Sequence, residues 1–309
     1  MTTTMTPAPP VVTSQTRLNQ RWKRLAFILP AVLFVLFMMA FPLVYNTYLS
    51  FHSWTGSAVR PPEPVGIDNY TQLLTNDDRF YPAVGRTVVF TVVAVTVELV
   101  LGIAIALLLK DAFPGQNIIK TLILLPMVAT PVAIGMAWLL MLEPTIGIFN
   151  KIIRDLGMMP QPFLGSQAQA LWVLIVVDIW QWTPMMAMIT LAGMLSLPLE
   201  PYEAALVDGA TARQRFFRLT LPLLIPTLIT ALLLRSIEAL KTFDIIYTMT
   251  RGGPGFATET LNTMAYVRAF EYFRLGQAAA LLVVFFAIVL GISVIFIQLR
   301  RNISARQAT

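Results

Sequence analysis

Long apolar runs alternate with polar segments along the chain, and their lengths predict helices that cross a membrane. At 1.5 Å per residue, about 20 residues cross a hydrocarbon core of roughly 30 Å. The fifth run, Leu223 to Leu234, is too short, so this span must continue past Arg235 to about Tyr247. The pattern predicts an all-α integral membrane protein with six transmembrane helices. We place them at about residues 25–49, 87–109, 121–142, 170–192, 223–247 and 278–297.

Composition narrows the class further. Hydrophobic residues make up 57% of the 309 positions and charged residues 12%, against roughly 25% charged residues in soluble domains. The chain has no cysteine, and its one histidine is His52, which excludes thiolate metal sites and most histidine-based catalysis. It also lacks a P-loop sequence for holding nucleotide phosphates. We therefore expect a non-catalytic transport subunit with no cofactor or metal in this chain.

The charges predict how the chain is oriented. The 22 basic residues outnumber the 16 acidic ones and cluster at the ends of apolar runs, which favours a lipid bilayer and not nucleic acid as partner. With six spans, both termini lie on the same side of the membrane, and the short segments on that side contain 12 basic residues. The longer loops on the opposite side contain 8. Basic residues concentrate on the cytoplasmic side, so both termini are predicted to be cytoplasmic. We expect a disordered basic tail at residues 1–24, a membrane domain at 25–300 and a cytoplasmic tail at 301–309.

Several charged residues fall inside the predicted spans. Arg235, Glu238 and Lys241 follow one another at spacings of three, so Arg235 can pair with Glu238 and Glu238 with Lys241. Glu98 and Asp178 lie within two other spans. Ionisable groups in a membrane either neutralise one another in the bundle or face a cavity. We favour a polar wall of a solute path, and a proton relay is an alternative on the same residues.

Two prolines interrupt the third predicted span, at Pro126 and Pro131. Prolines free backbone carbonyls inside the bilayer, and in transporters such broken helices line a water-filled path. A simple kink is an equally consistent interpretation of the same two residues.

The polar segment between the fourth and fifth spans, residues 196–222, is predicted to contain two short helices. Pro198 can open the first helix, because the first turn tolerates a residue without an N–H. Gly209 can end it in the left-handed conformation. Thr211 and Gln214 have capping-box spacing for the second helix. On this pattern alone, the segment would be a connector on the bilayer surface.

The residue string of this segment is more specific than its helices. It resembles the EAA loop of permeases in binding-protein-dependent ABC importers, through Glu203-Ala204-Ala205, Asp208-Gly209-Ala210, Phe216 and Leu221-Pro222. Two flanking segments, Trp180 to Pro184 and Gly252-Gly253-Pro254, resemble the carbohydrate branch, and within it the first permease subunit of the maltose and glycerol-phosphate type. The resemblance covers about residues 25–300. The chain departs from the maltose permease in having six spans in place of eight, without the large external insert.

The resemblance implies a type I ABC importer permease fold in the cytoplasmic membrane of a bacterium or archaeon. It also implies three partners: a second homologous permease subunit, a dimer of ATPase subunits that carries ATP and Mg, and an extracytoplasmic solute-binding protein. In that family the EAA loop docks in a cleft of the ATPase. The coupling residues implied here are Glu203, Ala204, Ala205, Asp208, Gly209 and Ala210.

Positions matched to the maltose permease imply a solute path on the third, fourth and fifth spans. They are Met127, Thr130, Asp178, Gln181, Trp182, Glu238 and Thr242. Carboxylates suit pairs of sugar hydroxyls and an aromatic face suits a sugar ring, so the set favours a neutral di- or oligosaccharide or a polyol. A sugar phosphate such as glycerol phosphate is the alternative solute. The rival classes are a proton-coupled secondary transporter and a membrane-embedded enzyme.

Overall fold

The computed structural model describes residues 14–57 and 59–307. Its first helix begins at Ser14 and its last helix ends at Gln307. Residues 14–24 of the predicted disordered tail and residues 301–307 of the predicted C-terminal tail are therefore helical. The remainder of both predicted tails, residues 1–13 and 308–309, lies outside the described residues.

Nearly all regular structure in the described chain is helical. The one small sheet pairs two two-residue strands antiparallel, with His52 opposite Pro64. In chain order the elements are α1 (Ser14–Ser50), β1 (His52–Ser53), β2 (Glu63–Pro64), α2 (Asp68–Thr75), α3 (Phe80–Leu109), α4 (Gln116–Val128), α5 (Pro131–Met141), α6 (Ile148–Asp155), a 3₁₀ turn (Phe163–Gly165), α7 (Ala170–Leu195), α8 (Glu200–Val207), α9 (Ala212–Arg215), a π-turn (Phe216–Thr220), α10 (Leu221–Leu240), α11 (Asp244–Thr250), α12 (Leu261–Tyr266), a second π-turn (Val267–Glu271) and α13 (Leu275–Gln307).

Six segments of the described chain can cross a membrane by length and apolar composition, if one bent helix pair counts as a single span. Four of them lie in α1, α3, α7 and α13, and a fifth is the segment Ala212–Thr250. The bent pair, α4 with α5, is the sixth. The predicted all-α membrane protein is therefore confirmed, and the third span in chain order is the bent pair.

The break between α4 and α5 bends the chain by 94°. Ala129 and Thr130 are both extended, with ψ of 146° and 139°. A proline disfavours the helical conformation of the residue before it, and Pro131 starts the new helix at a position that needs no N–H. This bend is far larger than a kink within one helix, so the third span is a broken helix, as one of the two interpretations predicted.

The fifth span ends earlier than expected. The α10 helix stops at Leu240, and α11 follows after Lys241, Thr242 and Phe243, so no continuous helix reaches Tyr247. The predicted bounds, 223–247, lie inside the candidate span Ala212–Thr250, but the helix is interrupted at residues 241–243. Helix α10 begins at Leu221, two residues before the apolar run and directly after the π-turn. Its 20 residues already cover about 30 Å.

Helix α7 lies at the centre of the bundle, where small residues allow close approach. A Cβ atom on Gly102 of α3 would lie 2.7 Å from the Cβ of Met186 on α7. A Cβ atom on Gly193 of α7 would lie 2.8 Å from Thr227 on α10. Glycines at such contacts let helix backbones approach closely within a bilayer. Helix α7 therefore approaches both α3 and α10 closely.

Candidate functional site

The segment between α7 and α10 folds as two short helices with a defined joint. Gly209 adopts the left-handed conformation, with φ of 72°, at the end of α8. Its N–H donates to the carbonyl of Leu206 at 3.1 Å, and the N–H of Ala210 donates to the carbonyl of Ala205 at 2.9 Å. These two hydrogen bonds form a Schellman motif, which closes the helix C-terminus. The predicted left-handed end of the first short helix at Gly209 is confirmed.

The structure shows which residues begin the two short helices, and these can be compared with the predicted ones. Thr211 and Gln214 form the predicted capping box at the start of α9. Pro198 does not open the first helix, because α8 begins at Glu200 with Pro201 in its first turn. The first helical turn tolerates either proline, because its N–H groups need no partner within the helix, and in the structure Pro201 occupies that turn. Tyr202 donates a 3.0 Å hydrogen bond to Thr220 Oγ1, which ties the two halves of the segment together.

This segment is exposed and has no core of its own. No residue of α8 is buried, and the apolar side chains Leu206 and Val207 are 57% and 89% exposed. Four of the six predicted coupling residues line a cavity of about 350 Å³: Ala205, Asp208, Gly209 and Ala210. Glu203 and Ala204 are exposed beside it. The arrangement is a preformed protrusion that can be bound by another protein.

A buried ion triad crosses the interior of the bundle. Arg235 Nε and Nη2 donate to the two carboxylate oxygens of Glu98 at 2.7 Å and 2.9 Å, and Nη2 also contacts the carboxylate of Asp178. All three side chains are 0% exposed. They come from α10, α3 and α7. The triad therefore joins three spans by charge-assisted hydrogen bonds.

The triad corrects one predicted pairing and leaves another intact. Arg235 does not pair with Glu238, because α10 directs its guanidinium into the bundle, where two carboxylates from other spans meet it. Glu238 and Lys241 do pair, at 3.1 Å, and are 53% and 48% exposed. Glu98, Asp178 and Arg235 pair within the bundle, where one guanidinium faces two carboxylates, while Glu238 and Lys241 are about half exposed.

A cavity of about 260 Å³ lies beside the triad. It brings together Asp178, Trp182, Glu238 and Thr242, four of the seven predicted path residues, and Arg235 also lines it. The Trp182 ring lies 5.2 Å from the Arg235 guanidinium carbon, within the range of a cation–π contact. Predicted path residues from two different spans thus share one polar cavity with an aromatic wall.

The other three predicted path residues do not line this cavity. Met127 and Thr130 are exposed at the end of α4 and at the break before α5. Gln181 is buried, and its side-chain oxygen has no hydrogen-bond partner in the described protein. The cavity also contains Pro131 and Lys241, which belong to the predicted helix break and polar wall, and Asp244, which the sequence reasoning did not assign to the path. The position of Asp244 beside a helix break was the available signal, since broken helices border polar cavities.

The cavity wall has unused hydrogen-bonding capacity. Asp178 Oδ1 and Arg235 Nη1 are both buried and have no hydrogen-bond partner within the described protein. An unsatisfied buried polar atom costs about 1–3 kcal/mol. Both side chains are 0% exposed, so a solute in the cavity could hydrogen-bond with these two atoms only if the wall rearranged. Among the described residues, no group of three acidic, histidine or cysteine side chains is arranged to hold a metal ion.

The fold and these features define a polytopic membrane transport protein with an exposed segment at residues 196–222, which we call the docking segment. A family model described as binding-protein-dependent transport system inner membrane component matches residues 69–306. The trehalose/maltose transport system permease protein MalF of Thermococcus litoralis is 35% identical over 92% of this chain and 96% of that protein. The trehalose transport system permease protein SugA of Mycobacterium tuberculosis is 31% identical over 93% and 92%. The chain therefore belongs to the family of binding-protein-dependent transport system inner membrane components.

A solved structure agrees with this fold. The structure of a bacterial ABC transporter involved in the import of the acidic polysaccharide alginate contains a chain that aligns with a TM-score of 0.81. The alignment covers 93% of this chain and 98% of that one, at 21% sequence identity. The ABC importer permease architecture is therefore retained across this low level of identity.

Proposed function

We propose that this chain is the permease subunit of an ATP-driven importer for a sugar and forms half of its translocation path. Relatives at 31–35% identity over most of the chain are permeases of trehalose/maltose, trehalose and multiple-sugar systems. The single observation that carries the proposal is the capped segment of residues 196–222, whose two short helices, α8 and α9, contain no buried residue. An exposed and ordered segment of this kind is typical of a surface that binds a second protein.

The cavity chemistry favours a neutral di- or oligosaccharide or a polyol. Trp182 offers an aromatic face, and Asp178 and Glu238 offer carboxylates for hydroxyl pairs. Both cationic residues of the lining are already paired, Arg235 with two carboxylates and Lys241 with Glu238. A sugar phosphate would find no free cation among the lining residues, so this alternative is not favoured. Thr242 already lines the cavity, and Met127, Thr130 and Gln181 are proposed to complete the path in another conformation.

Energy would enter through the docking segment. We assign Glu203, Ala204 and Ala205 to the contact with an ATPase subunit, because small side chains keep a helix narrow enough to enter a cleft. Asp208, Gly209 and Ala210 set the joint between the helices. ATP and Mg would be bound by the ATPase dimer. A second permease subunit and an extracytoplasmic solute-binding protein would complete the transporter in a bacterial or archaeal cytoplasmic membrane, with both termini of this chain cytoplasmic.

Purification of the intact assembly tests this proposal. The chain, extracted from native membranes, should bring with it a P-loop ATPase and a second permease. The assembly in proteoliposomes should hydrolyse ATP faster when a sugar-loaded binding protein is added. Glu203→Lys should abolish that stimulation while leaving the helical content of the chain unchanged. Uptake driven by a proton gradient without any ATPase would instead establish a secondary transporter.

A further inference from the structure

Four aromatic side chains lie ring against ring outside the buried clusters of the described chain. Tyr266 lies at the centre of the group, with its ring centroid 4.8 Å from those of Phe243 and Tyr247 and 4.9 Å from that of Phe270. None of the four belongs to the hydrophobic clusters of the bundle, and Phe270 is 63% exposed. We call these four residues the aromatic strip.

The strip is built from two pairs of residues at helical spacing. Phe243 directly precedes α11 and Tyr247 lies within it, with the two ring centroids 5.1 Å apart. Tyr266 ends α12, and Phe270 lies four residues later in the second π-turn. Residues four apart on a helix lie on the same face. Tyr247 also donates a 3.2 Å hydrogen bond to Glu271, so the two pairs are joined and the strip is preformed.

One end of the strip lies at the candidate solute cavity. Phe243 lines the cavity of about 260 Å³ together with Trp182. The strip therefore continues the aromatic wall of this cavity and does not form a separate surface.

The other end of the strip lies toward the end of the bundle opposite the docking segment. Phe270 is two residues from Tyr272, which lines another cavity together with Arg79, the residue before α3. The far end of α3 packs through Leu109 against Leu191, close to where α7 leads into the docking segment. In the proposed importer the strip therefore runs from the outer side of the membrane to the cavity.

Charged groups of both signs flank the strip. Glu271 contacts Tyr247, and Asp244 is exposed at the cavity without an ion pair to any described residue. The guanidinium carbon of Arg251 lies 5.9 Å from the centroid of the Tyr247 ring. Ionisable groups of a membrane protein face a partner or a cavity and not lipid. Aromatic faces with a few polar groups at their edge are typical of small-molecule sites, and they match the C–H face and the hydroxyl rim of a sugar ring.

We propose that the aromatic strip is a second sugar-binding site of the solute path, on which the rings of a neutral sugar stack between the outer side and the cavity. Two observations select this occupant: the strip is continuous with the cavity at Phe243, and hydroxyl-binding carboxylates border it at Asp244 and Glu271. This inference rests on the proposed function, since it assumes that the path carries a sugar.

Thiol labelling tests whether a sugar occupies the strip. The chain contains no cysteine, so Glu271→Cys places a single thiol beside Tyr247, and Glu63→Cys at an exposed acid of β2 outside the strip is the matched control. In the purified assembly without binding protein, a saturating mixture of maltose, trehalose and maltotriose should slow maleimide labelling at position 271 about tenfold, because a bound sugar shields the thiol for about nine-tenths of the time. Labelling at position 63 should not change. A rate at position 271 that sugar does not alter would overturn the proposal, and so would a thiol there that fails to react without sugar, because another subunit would then cover the strip.

A ring deletion tests the strip during uptake. Phe270→Leu removes one ring, and Phe273→Leu is the matched control, because Phe273 is 60% exposed and takes part in none of the ring contacts of the strip. We expect Phe270→Leu to lower the amount of sugar taken up per ATP hydrolysed about tenfold. Phe273→Leu should keep the wild-type ratio, and Phe270→Trp, which restores an aromatic face, should recover most of it. Equal losses in the two leucine variants, or no recovery with tryptophan, would refute the site.

Two outcomes separate this inference from the proposed function. If the Phe270→Leu assembly loses its second permease on purification, the strip is a contact between subunits and the inference fails, while the proposed function stands. A wild-type assembly that takes up no sugar refutes the proposed function, and the inference fails with it.

Discussion

Replacing Arg235 by methionine removes the guanidinium that the carboxylates of Glu98 and Asp178 share inside the bundle. All three side chains are 0% exposed, so neither carboxylate can turn to water. Removing one partner of a buried ion pair costs about 3–5 kcal/mol, because a charge is left uncompensated. Arg235 serves two carboxylates, and we expect Arg235→Met to lower the free energy of unfolding by about 5 kcal/mol.

The matched control is Lys241→Met, one residue beyond the end of the same helix. Lys241 also pairs with a carboxylate, that of Glu238, but both side chains are about half exposed. Exposed ion pairs contribute about 0–1 kcal/mol. Unfolding of the purified chain in detergent, titrated with SDS and followed by circular dichroism, measures both variants. Equal losses of unfolding free energy in the two variants would refute the claim that burial increases the contribution of the triad to stability.

A triple variant separates the unpaired charge from lost packing. Glu98→Leu, Asp178→Leu and Arg235→Met together remove every charge of the triad while keeping side chains of similar size. Apolar replacement of a buried ionic cluster is often neutral or stabilising by about 1–4 kcal/mol. We therefore expect the triple variant to recover most of the stability that Arg235→Met loses. If it stays as unstable as the single variant, uncompensated charge is not the cause.

Three further predictions concern the docking segment, the cavity and the helix contacts. Gly209→Val should abolish sugar-stimulated ATP hydrolysis, because valine is strained at a φ of 72°, whereas Gly209→Asn should retain it; stimulation in the valine variant would contradict the coupling role. Asp178→Ala and Glu238→Ala should each raise the KM for sugar uptake about tenfold, and unchanged uptake of every sugar tested would remove them from the site. Gly102→Val should lower the free energy of unfolding by about 1–3 kcal/mol in the same SDS titration. The control is Gly85→Val, because Gly85 has open space around it. Equal losses of unfolding free energy in the two variants would contradict the close contact of α3 and α7.

The sequence predicted the elements that depend on local chemistry. Span positions followed from apolar length, and the joint of the docking segment followed from Gly209 and from the Thr211–Gln214 capping box. Each of these depends on a few consecutive residues. The start of α8 was wrong by two residues because Pro198 and Pro201 satisfy the same rule, and only the chain's path after α7 selects between them.

Features that depend on packing between distant spans were not predictable in the same way. Helical spacing favoured a pair between Arg235 and Glu238, whereas the folded bundle gives Arg235 two partners 137 and 57 positions away. One general signal was available: an arginine deep in a span needs a partner, and Glu98 and Asp178 were the acidic residues within other spans. Which face of α10 turned inward could not be read from the sequence.

The triad has a mechanical consequence when combined with the glycine contact between α7 and α10. Asp178 is bound to Arg235, and Gly193 touches Thr227 about 22 Å further along α7. Two well-separated attachments prevent the helices from pivoting about each other. The docking segment connects this same pair of helices, so a push on it would turn α7 and α10 as one lever. The bending would then fall at the chain's non-helical joints, residues 129–130 and 241–243. Pro131, next to the first joint, and the three residues of the second joint line the cavity.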